Sequence, residues 1–324
     1  KKKFLGFIKQ QMKRKALIIS IKGTKLSKME KILLSKEKPW GIILFKRNLQ
    51  SIKQIKKLTS NIKFLTKEPN FPIIIDEEGE NVSRLRNIIN HKITANFFGN
   101  LFQQDKFFCA KIYKLYIKSL SKILNELGIN INSIPVADVS RNYTNKIIGN
   151  RSFSKDKRIV KELALLTIKY LHLYKITGII KHIPGHGASA LDSHKVLPKV
   201  SLSLKKLNDI DFYPFKSSDA KLAMTAHILY PELDKNNVVT LSEKIIKNII
   251  RKKIGFKGIL MSDDISMKAL KYDLITSARK SIEAGCNLVL YCAGKTSDNF
   301  KLIKSLPYID KFTTKKTSEF YKFL

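Results

Sequence analysis

Residues 177–194 read TGIIKHIPGHGASALDSH and combine an apolar strand with a polar loop. The start of this stretch, TGII, is typical of a strand that is buried on both faces. The strand ends in Lys181 and His182, a Pro-Gly pair turns the chain, and Asp192 and His194 follow among small residues. Because loops on a rigid scaffold commonly carry catalytic groups, we interpret the rest of the chain as the scaffold that positions this loop.

Seven further apolar segments of the 324-residue chain resemble the first. Together they predict eight strands, at residues 16–21, 41–45, 72–76, 129–136, 177–182, 221–227, 257–262 and 286–292. Helical spacing of apolar residues lies between them, at 51–65, 101–127, 155–173, 242–253 and 277–284, with Ser154 and Ser242 as N-caps and Gly285 as a C-terminal stop. Eight strands alternating with helices predict an α/β fold, a single (β/α)8 barrel of the TIM type, in one domain over residues 1–324.

Polar side chains close five of the predicted strands. They are Asp76, Glu77 and Glu78 after the third strand, Asp138 and Arg141 after the fourth, Lys181 and His182 after the fifth, Thr225 and His227 after the sixth, and Asp263 and Asp264 after the seventh. In a parallel barrel these strand ends share one face, where enzymes of this architecture carry their active sites. The sequence therefore predicts an active site at the carboxyl end of the barrel.

The residue types at this end suit the hydrolysis of a glycosidic bond. Asp263 closes an apolar strand, so its carboxylate is expected in the mouth of the barrel, where it could attack an electrophilic carbon, hold a metal or bind a cation. Asp192 would orient the imidazole of His194 and stabilise its protonated form. A nucleophile and an acid/base are the minimal set of a retaining glycosidase, with His here replacing the second carboxylate.

Structural interpretations compete with these roles. His182, His186 and His194 could form a metal cluster, but their spacing matches none of the common zinc motifs, so we expect no metal. The flanking glycines make His186 a structural hydrogen-bonding residue rather than a catalytic one. Asp264 could be the N-cap of a helix.

The formal net charge of +36 has two interpretations. A polyanionic partner is one, and a compositional bias towards Lys is the other. Lysines are spread along nearly every predicted helix and no nucleic-acid-binding signature is present, which favours the bias; we expect neither a nucleic-acid nor a membrane partner. No uncharged apolar run of about 18 residues predicts a membrane span. Three cysteines without metal-type spacing indicate a reducing cytoplasm.

Several segments together resemble a known family. Residues 181–187 and 192–194, KHIPGHG and DSH, resemble the KHFPGHG…DSH signature of the bacterial β-N-acetylhexosaminidases of glycoside hydrolase family 3. Further similar segments follow the order of the family: GIILFKRN at 41–48, IDEEG at 75–79 with VSR at 82–84, IGNRSF at 148–153, MTAH at 224–227, SDDISM at 262–267 and AGCN at 284–287. The resemblance spans residues 41 to about 292.

The resemblance implies a role for each matching residue. Asp263 would be the nucleophile and His194 the acid/base, tuned by Asp192. The substrate would be bound by Asp76, Arg84, Arg151, Lys181 and His182. The implied activity is removal of terminal, non-reducing, β-linked N-acetylglucosamine, from muropeptide fragments in cell-wall recycling, by a cytoplasmic enzyme without a cofactor. We expect a monomer.

The sequence departs from the family pattern at Glu80 and Asn81, which puts the turn after Asp76 in doubt, and at Asn150 and Asn287, where the family has Asp. Two alternatives stay open. One is a β-glucosidase of the same family, which the His-loop, residues 181–194, argues against. The other is a catalytically inactive basic barrel that binds polyanions, which the intact Asp263, Asp192 and His194 argue against.

Overall fold

Eight parallel strands close into a barrel in the computed structural model, which describes residues 14–90, 92–146, 148–191 and 196–322. The strands are β1 (Lys15–Ser20), β2 (Pro39–Leu44), β3 (Ile73–Ile75), β4 (Ile131–Asn132), β5 (Thr177–Ile183), β6 (Leu222–Thr225), β7 (Ile259–Asp264) and β8 (Leu288–Leu290). Each pairs with the next along the chain, and β8 pairs with β1. All eight predicted strands and the (β/α)8 barrel are confirmed.

Helices cover the outside of the barrel. They are α1 (Lys28–Ile32, continued by a π-helical turn, Leu33–Glu37), α2 (Ile52–Thr66), α3 (Ala95–Gln104), α4 (Lys106–Glu126), α5 (Lys157–Leu173), α6 (Leu204–Asp209), α7 (Glu243–Ile245, continued by a π-helix, Ile246–Lys253), α8 (Leu274–Glu283), α9 (Thr296–Ser305) and α10 (Lys311–Tyr321). No helix within the described part of the chain is long and apolar enough to cross a membrane.

Three predicted helix boundaries are wrong because local capping decides them. The helix predicted at 101–127 is two helices, since Asp105 is extended (φ −149°) and its side chain accepts a hydrogen bond from the Phe108 amide at the start of α4. The next helix begins at Lys157, with Asp156 rather than Ser154 as its N-cap. Helix α8 begins at Leu274, earlier than predicted, while Ser242 caps α7 and Gly285 (φ +111°) ends α8 as expected.

The strands are apolar throughout because each one packs into two cores. Alternate residues such as Ile18, Ile43 and Ile179 form a cluster inside the barrel, whereas their neighbours Leu17, Ile42 and Ile180 pack against the helices. Side chains in a strand alternate between its two faces, so burial on both faces produces a continuous apolar run. Polar residues on these strands therefore stand out at the ends, where the core stops.

Candidate active site

A cavity of about 430 Å³ lies at the carboxyl end of the barrel. Every predicted site residue that the structure describes lines it: Asp76, Arg84, Arg151, Lys181, His182 and Asp263. The cavity is also lined by Phe45, Arg47, Glu78, His186, Asp264 and Cys292. Asp192 and His194, the predicted acid/base pair, lie outside the described residues.

Asp263 lies within β7, which extends two residues beyond the predicted strand. Its Oδ1 accepts a hydrogen bond from the Asp264 amide at 2.7 Å, and Oδ2 has no hydrogen-bond partner among the described residues. Burial alone would raise the pKa of Asp263, but His227, His182 and the Asp264 amide outweigh burial and hold the pKa below its usual value. Asp263 is therefore an ionised carboxylate with one oxygen fixed and the other available to a ligand.

Asp264 does not cap a helix, which excludes that alternative. Its carboxylate accepts hydrogen bonds from the Ser266 amide at 3.1 Å, the Ser266 hydroxyl at 2.7 Å and the Cys292 amide at 3.1 Å, and a turn follows. These bonds join the end of β7 to the end of β8. Asp264 thus fixes the backbone beside the carboxylate of Asp263.

Two carboxylates at the edge of the core share Lys181. The Lys181 ammonium lies 2.5 Å from Glu78 Oε1 and 3.5 Å from Asp76 Oδ1, and donates to Ser133 Oγ at 2.8 Å. Arg84 Nη2 donates to Asp76 Oδ2 at 2.9 Å. Burial alone would raise the pKa of Asp76, but Lys181 and Arg84 lower it below its usual value. Asp76 is consequently ionised and can accept hydrogen bonds from hydroxyl groups.

Glu78 is the second carboxylate of this network, and it was not among the predicted site residues. Arg151 binds it through two bonds, Nε at 2.6 Å and Nη2 at 2.9 Å. Burial would raise the pKa of Glu78, yet Arg151 and Lys181 hold it far below its usual value. The bidentate geometry fixes the guanidinium of Arg151 at the cavity wall.

Asp138 orients His182, near the end of β5, and His186, in the loop that follows. Its Oδ2 lies 2.7 Å from His182 Nδ1, and Oδ1 accepts hydrogen bonds from the His182 amide at 3.3 Å and the His186 amide at 2.6 Å. The His182 and His186 rings lie 5.6 Å apart. Burial and the neighbouring His182 lower the pKa of His186 to about 4, so His186 is neutral near pH 7. No group of three or more potential ligand side chains in the described ranges could hold a metal.

His227 ends a buried chain of hydrogen bonds that begins at the backbone amide of Asp263. The Asp263 amide donates to Thr225 Oγ1 at 3.3 Å, and this hydroxyl lies 2.7 Å from Thr240 Oγ1. Thr240 Oγ1 lies 2.7 Å from His227 Nδ1, and His227 Nε2 lies 3.0 Å from the Asp264 carbonyl oxygen. A carbonyl oxygen only accepts, so Nε2 carries the proton and Nδ1 accepts from Thr240. Burial lowers the pKa of His227, which keeps this tautomer neutral.

The loop after β5 packs closely on its neighbours. A side chain at Gly187 would overlap the carbonyl oxygen of Val139, and Gly185 has φ +137°. The Tyr230 hydroxyl donates to the Gly185 carbonyl oxygen. Glycine is therefore required where the backbone passes this close and turns this way.

The departures from the family pattern are accommodated locally. After β3, the amides of Glu78 and Gly79 donate to the Val82 carbonyl oxygen, and this turn brings Arg84 back to Asp76. Asn287 Oδ1 accepts hydrogen bonds from the Leu260 amide and Arg251 Nη2, both at 2.8 Å. An amide oxygen can accept both bonds, so Asn287 joins β7 to β8 without a carboxylate.

Arg47 is a further cavity residue that sequence reasoning did not assign, although it lies in a matching segment. Its guanidinium donates to Ser20 Oγ, the Ile21 carbonyl oxygen and the Cys292 carbonyl oxygen. The guanidinium carbons of Arg47 and Arg84 lie 4.8 Å and 5.0 Å from the centre of the Phe45 ring. The strand-end position of Asp138, Glu78 and His227 was the signal available for the other unassigned residues.

A (β/α)8 barrel whose mouth holds an ionised strand-end carboxylate among Arg, Lys and His side chains is suited to a glycoside hydrolase. Residues 9–315 match the glycosyl hydrolase family 3 N-terminal domain, and the chain belongs to this family. It is a glycoside hydrolase.

Named relatives agree with this assignment. The β-hexosaminidase of Neisseria meningitidis serogroup A is 36% identical over 285 residues, which are 86% of this chain and 78% of the relative. The structure of NagZ from Neisseria gonorrhoeae in complex with N-trifluoroacetyl-D-glucosamine has a TM-score of 0.87 at 32% identity, covering 95% of this chain and 90% of that one. A family 3 β-N-acetylglucosaminidase from Paenibacillus has a TM-score of 0.85 at 25% identity, covering 97% and 61%.

Proposed function

We propose that this protein is a retaining exo-β-N-acetylglucosaminidase that removes terminal, non-reducing, β-linked N-acetylglucosamine. The observation that carries the proposal is the Asp263 carboxylate, which is ionised, lines the cavity and has one oxygen without a partner among the described residues. The similarity of the chain to relatives named β-hexosaminidase and NagZ supports the choice of sugar.

In the first half of the reaction, Asp263 Oδ2 attacks the anomeric carbon and the bond from that carbon to the aglycone oxygen breaks. His194 donates a proton to the departing oxygen, so that the aglycone leaves as an alcohol. The product is a glycosyl ester of Asp263, and the positive charge that develops on the sugar is stabilised by the carboxylate. Asp192 orients the imidazole of His194 and stabilises its protonated form.

In the second half, His194 accepts a proton from water, and the oxygen of that water attacks the anomeric carbon from the face that the aglycone left. The ester bond breaks and Asp263 is again a carboxylate. Two inversions give net retention of configuration. A titratable His suits this sequence because it acts first as an acid and then as a base.

The remaining predicted residues bind the sugar in this proposal. Asp76 accepts hydrogen bonds from hydroxyl groups, and Arg84, Arg151 and His182 donate. Lys181 already contacts Ser133, Glu78 and Asp76, so its main contribution is to keep both carboxylates ionised. Charged side chains of this kind select a polar ligand, because they are left without hydrogen-bond partners when an apolar ligand binds.

The test is hydrolysis of a chromogenic N-acetyl-β-glucosaminide and the matching β-glucoside by wild type and Asp263→Ala. We expect turnover of the N-acetyl substrate, lowered by roughly 10⁴-fold or more in the variant. Mass spectrometry of acid-quenched His194→Ala, in which the second step is slowed, should find one sugar on the peptide that contains Asp263. Because some hexosaminidases use the substrate's own acetamido group instead, a variant that shows a burst of aglycone release without this label would refute the nucleophile assignment.

His194→Ala provides an independent test of the acid. The variant should lose little of the first step with a good leaving group and far more with a natural disaccharide, because only a poor leaving group needs the proton. Equal losses on both substrates would contradict the role of His194.

We further propose that the natural substrates are muropeptide fragments released during peptidoglycan recycling, and that the protein acts as a cytoplasmic, monomeric, single-domain enzyme without a metal or cofactor. The supporting observation is the resemblance of the His-loop to family members of that type. Hydrolysis of purified muropeptides would test the substrate, and sedimentation of the protein would test the monomeric state.

A further inference from the structure

A second cavity, of about 420 Å³, nearly equals the active-site cavity in volume. It lies between the loop after β1, helix α1 and the first three turns of α2. We name it the lysine cavity, and its lining residues are Thr24, Lys25, Leu26, Lys31, Ser51, Lys53, Gln54, Lys57, Leu58 and Asn61. The proposed reaction uses none of them.

Among the described residues, four lysines and no carboxylate line the lysine cavity. The ammonium groups of Lys25, Lys31, Lys53 and Lys57 form no hydrogen bond or ion pair with any residue in the described ranges. A concavity lined by four exposed cations attracts a ligand that carries several negative charges. Net charge alone would not single out this place, because lysines occur throughout the chain; the concave arrangement does.

The walls of the lysine cavity are held in place by hydrogen bonds. Gln54 Nε2 donates to the Thr24 carbonyl oxygen at 2.6 Å, and Asn48 Nδ2 donates to the carbonyl oxygens of Ile21 and Gly23 at 3.0 Å and 2.9 Å. The buried Glu30 accepts from the amides of Lys22 and Ser27, both at 2.8 Å. A concavity whose backbone is fixed before binding loses less conformational entropy when a ligand arrives.

The two cavities share one pair of loops. Arg47 lines the active-site cavity and donates to the Ile21 carbonyl oxygen, and the next residue, Asn48, donates to the same oxygen. The Asn48 carbonyl oxygen in turn accepts from Gln54, which lines the lysine cavity. The lysine cavity is therefore beside the substrate-binding end of the barrel, so that an anion reaching it can come from a bound substrate or from solution.

We propose that the lysine cavity binds an organic anion carrying at least two carboxylate or phosphate groups. Lysines supply mobile point charges that suit either group, and Ser51, Gln54 and Asn61 offer further polar contacts. Leu26 and Leu58 provide an apolar surface for the ligand's uncharged part. The anion is either the acidic end of the aglycone, which rests on the proposed function, or a free solute.

The direct test is calorimetric titration with inorganic pyrophosphate at constant ionic strength. The test variant is Lys53→Gln/Lys57→Gln. Its control is Lys301→Gln/Lys304→Gln, which removes two exposed charges from α9. We expect one pyrophosphate per chain for wild type and control, and binding at least about tenfold weaker for the test variant, with unchanged thermal unfolding. No binding by wild type, or equal weakening in both variants, would overturn the proposal.

Kinetics distinguish the two sources of the anion. The same variants are assayed on two N-acetyl-β-glucosaminides, one with a neutral nitrophenyl aglycone and one with an aglycone bearing two carboxylates. If KM rises severalfold only for the acidic substrate, and only in the test variant, the aglycone is the source of the bound anion. If KM is unchanged while pyrophosphate binding is lost, the bound anion is a free solute. If neither glycoside is hydrolysed, the proposed function fails, while pyrophosphate binding still tests the cavity.

Discussion

Replacing Asp138 tests how the structure orients the histidines of the active site. Asp138 is fully buried and accepts three N–H donors, one from the His182 ring and two from backbone amides. Asp138→Asn keeps the shape and one acceptor oxygen, but its amide nitrogen cannot accept from His182 Nδ1. A hydrogen bond to a charged group contributes about 1.5–3 kcal/mol, so we expect the free energy of unfolding to fall by about that amount.

Asp138→Ala should cost more, about 3–5 kcal/mol, because it leaves three buried donors without their acceptor. The measurement is denaturant unfolding, together with kcat/KM on the chromogenic substrate. If about 1.4 kcal/mol of the loss affects the transition state through a misoriented His182, kcat/KM falls about tenfold. Asp209→Asn is the matched control, since its exposed ion pair with Lys157 should leave both quantities unchanged.

The pH dependence supplies a separate check. Burial alone would raise the pKa of Asp138, but His182 and His186 lower it below its usual value. Because the pKa is depressed in the folded state, the Asp138 charge contributes fully to the free energy of unfolding above the unfolded-state pKa of about 4. This contribution disappears as the pH falls through the lower folded-state pKa. Wild type and Asp138→Asn should therefore converge in stability at acid pH. Wild-type stability and kcat/KM in Asp138→Asn at pH 7 would refute the reasoning.

Three further predictions concern the surrounding residues. His227→Gln should lower kcat with little change in KM, because it disturbs the backbone beside Asp263, the proposed nucleophile, rather than the proposed sugar contacts; steady-state kinetics in which only KM changes would argue otherwise. His186 stays neutral in the folded protein down to about pH 4, but in the unfolded chain it is protonated below about pH 6.5. Wild type should therefore lose stability as the pH falls from about 6.5 to about 4, and His186→Gln should lose less. Denaturant titrations at several pH values measure this difference. Gly187→Ala should destabilise by about 3 kcal/mol or more and reduce activity. In contrast, an added Cβ at Gly23 would meet no atom of the described residues within 4 Å, so Gly23→Ala should unfold thermally like wild type.

The sequence by itself predicted the barrel and most of the ionisable residues that line the active-site cavity. Strands buried on both faces must be apolar throughout, so each polar residue that closes a strand marks the edge of the core and points to the cavity. Asp76, Lys181, His182 and Asp263 were accessible to sequence reasoning for this reason. Helix boundaries were harder to predict from the sequence, because the break at Asp105 depends on one side chain that caps α4.

Only the tertiary structure decided which charged groups are partners. Asp138 is 44 residues from His182, and Arg151 is 73 residues from Glu78. No local periodicity encodes such pairs, because they form only when neighbouring strands align in the closed barrel. The lysine cavity arises in the same way from two loops that hydrogen bonds hold together. The sequence thus supplies the ionisable groups, and barrel closure decides which of them meet and hence which remain charged.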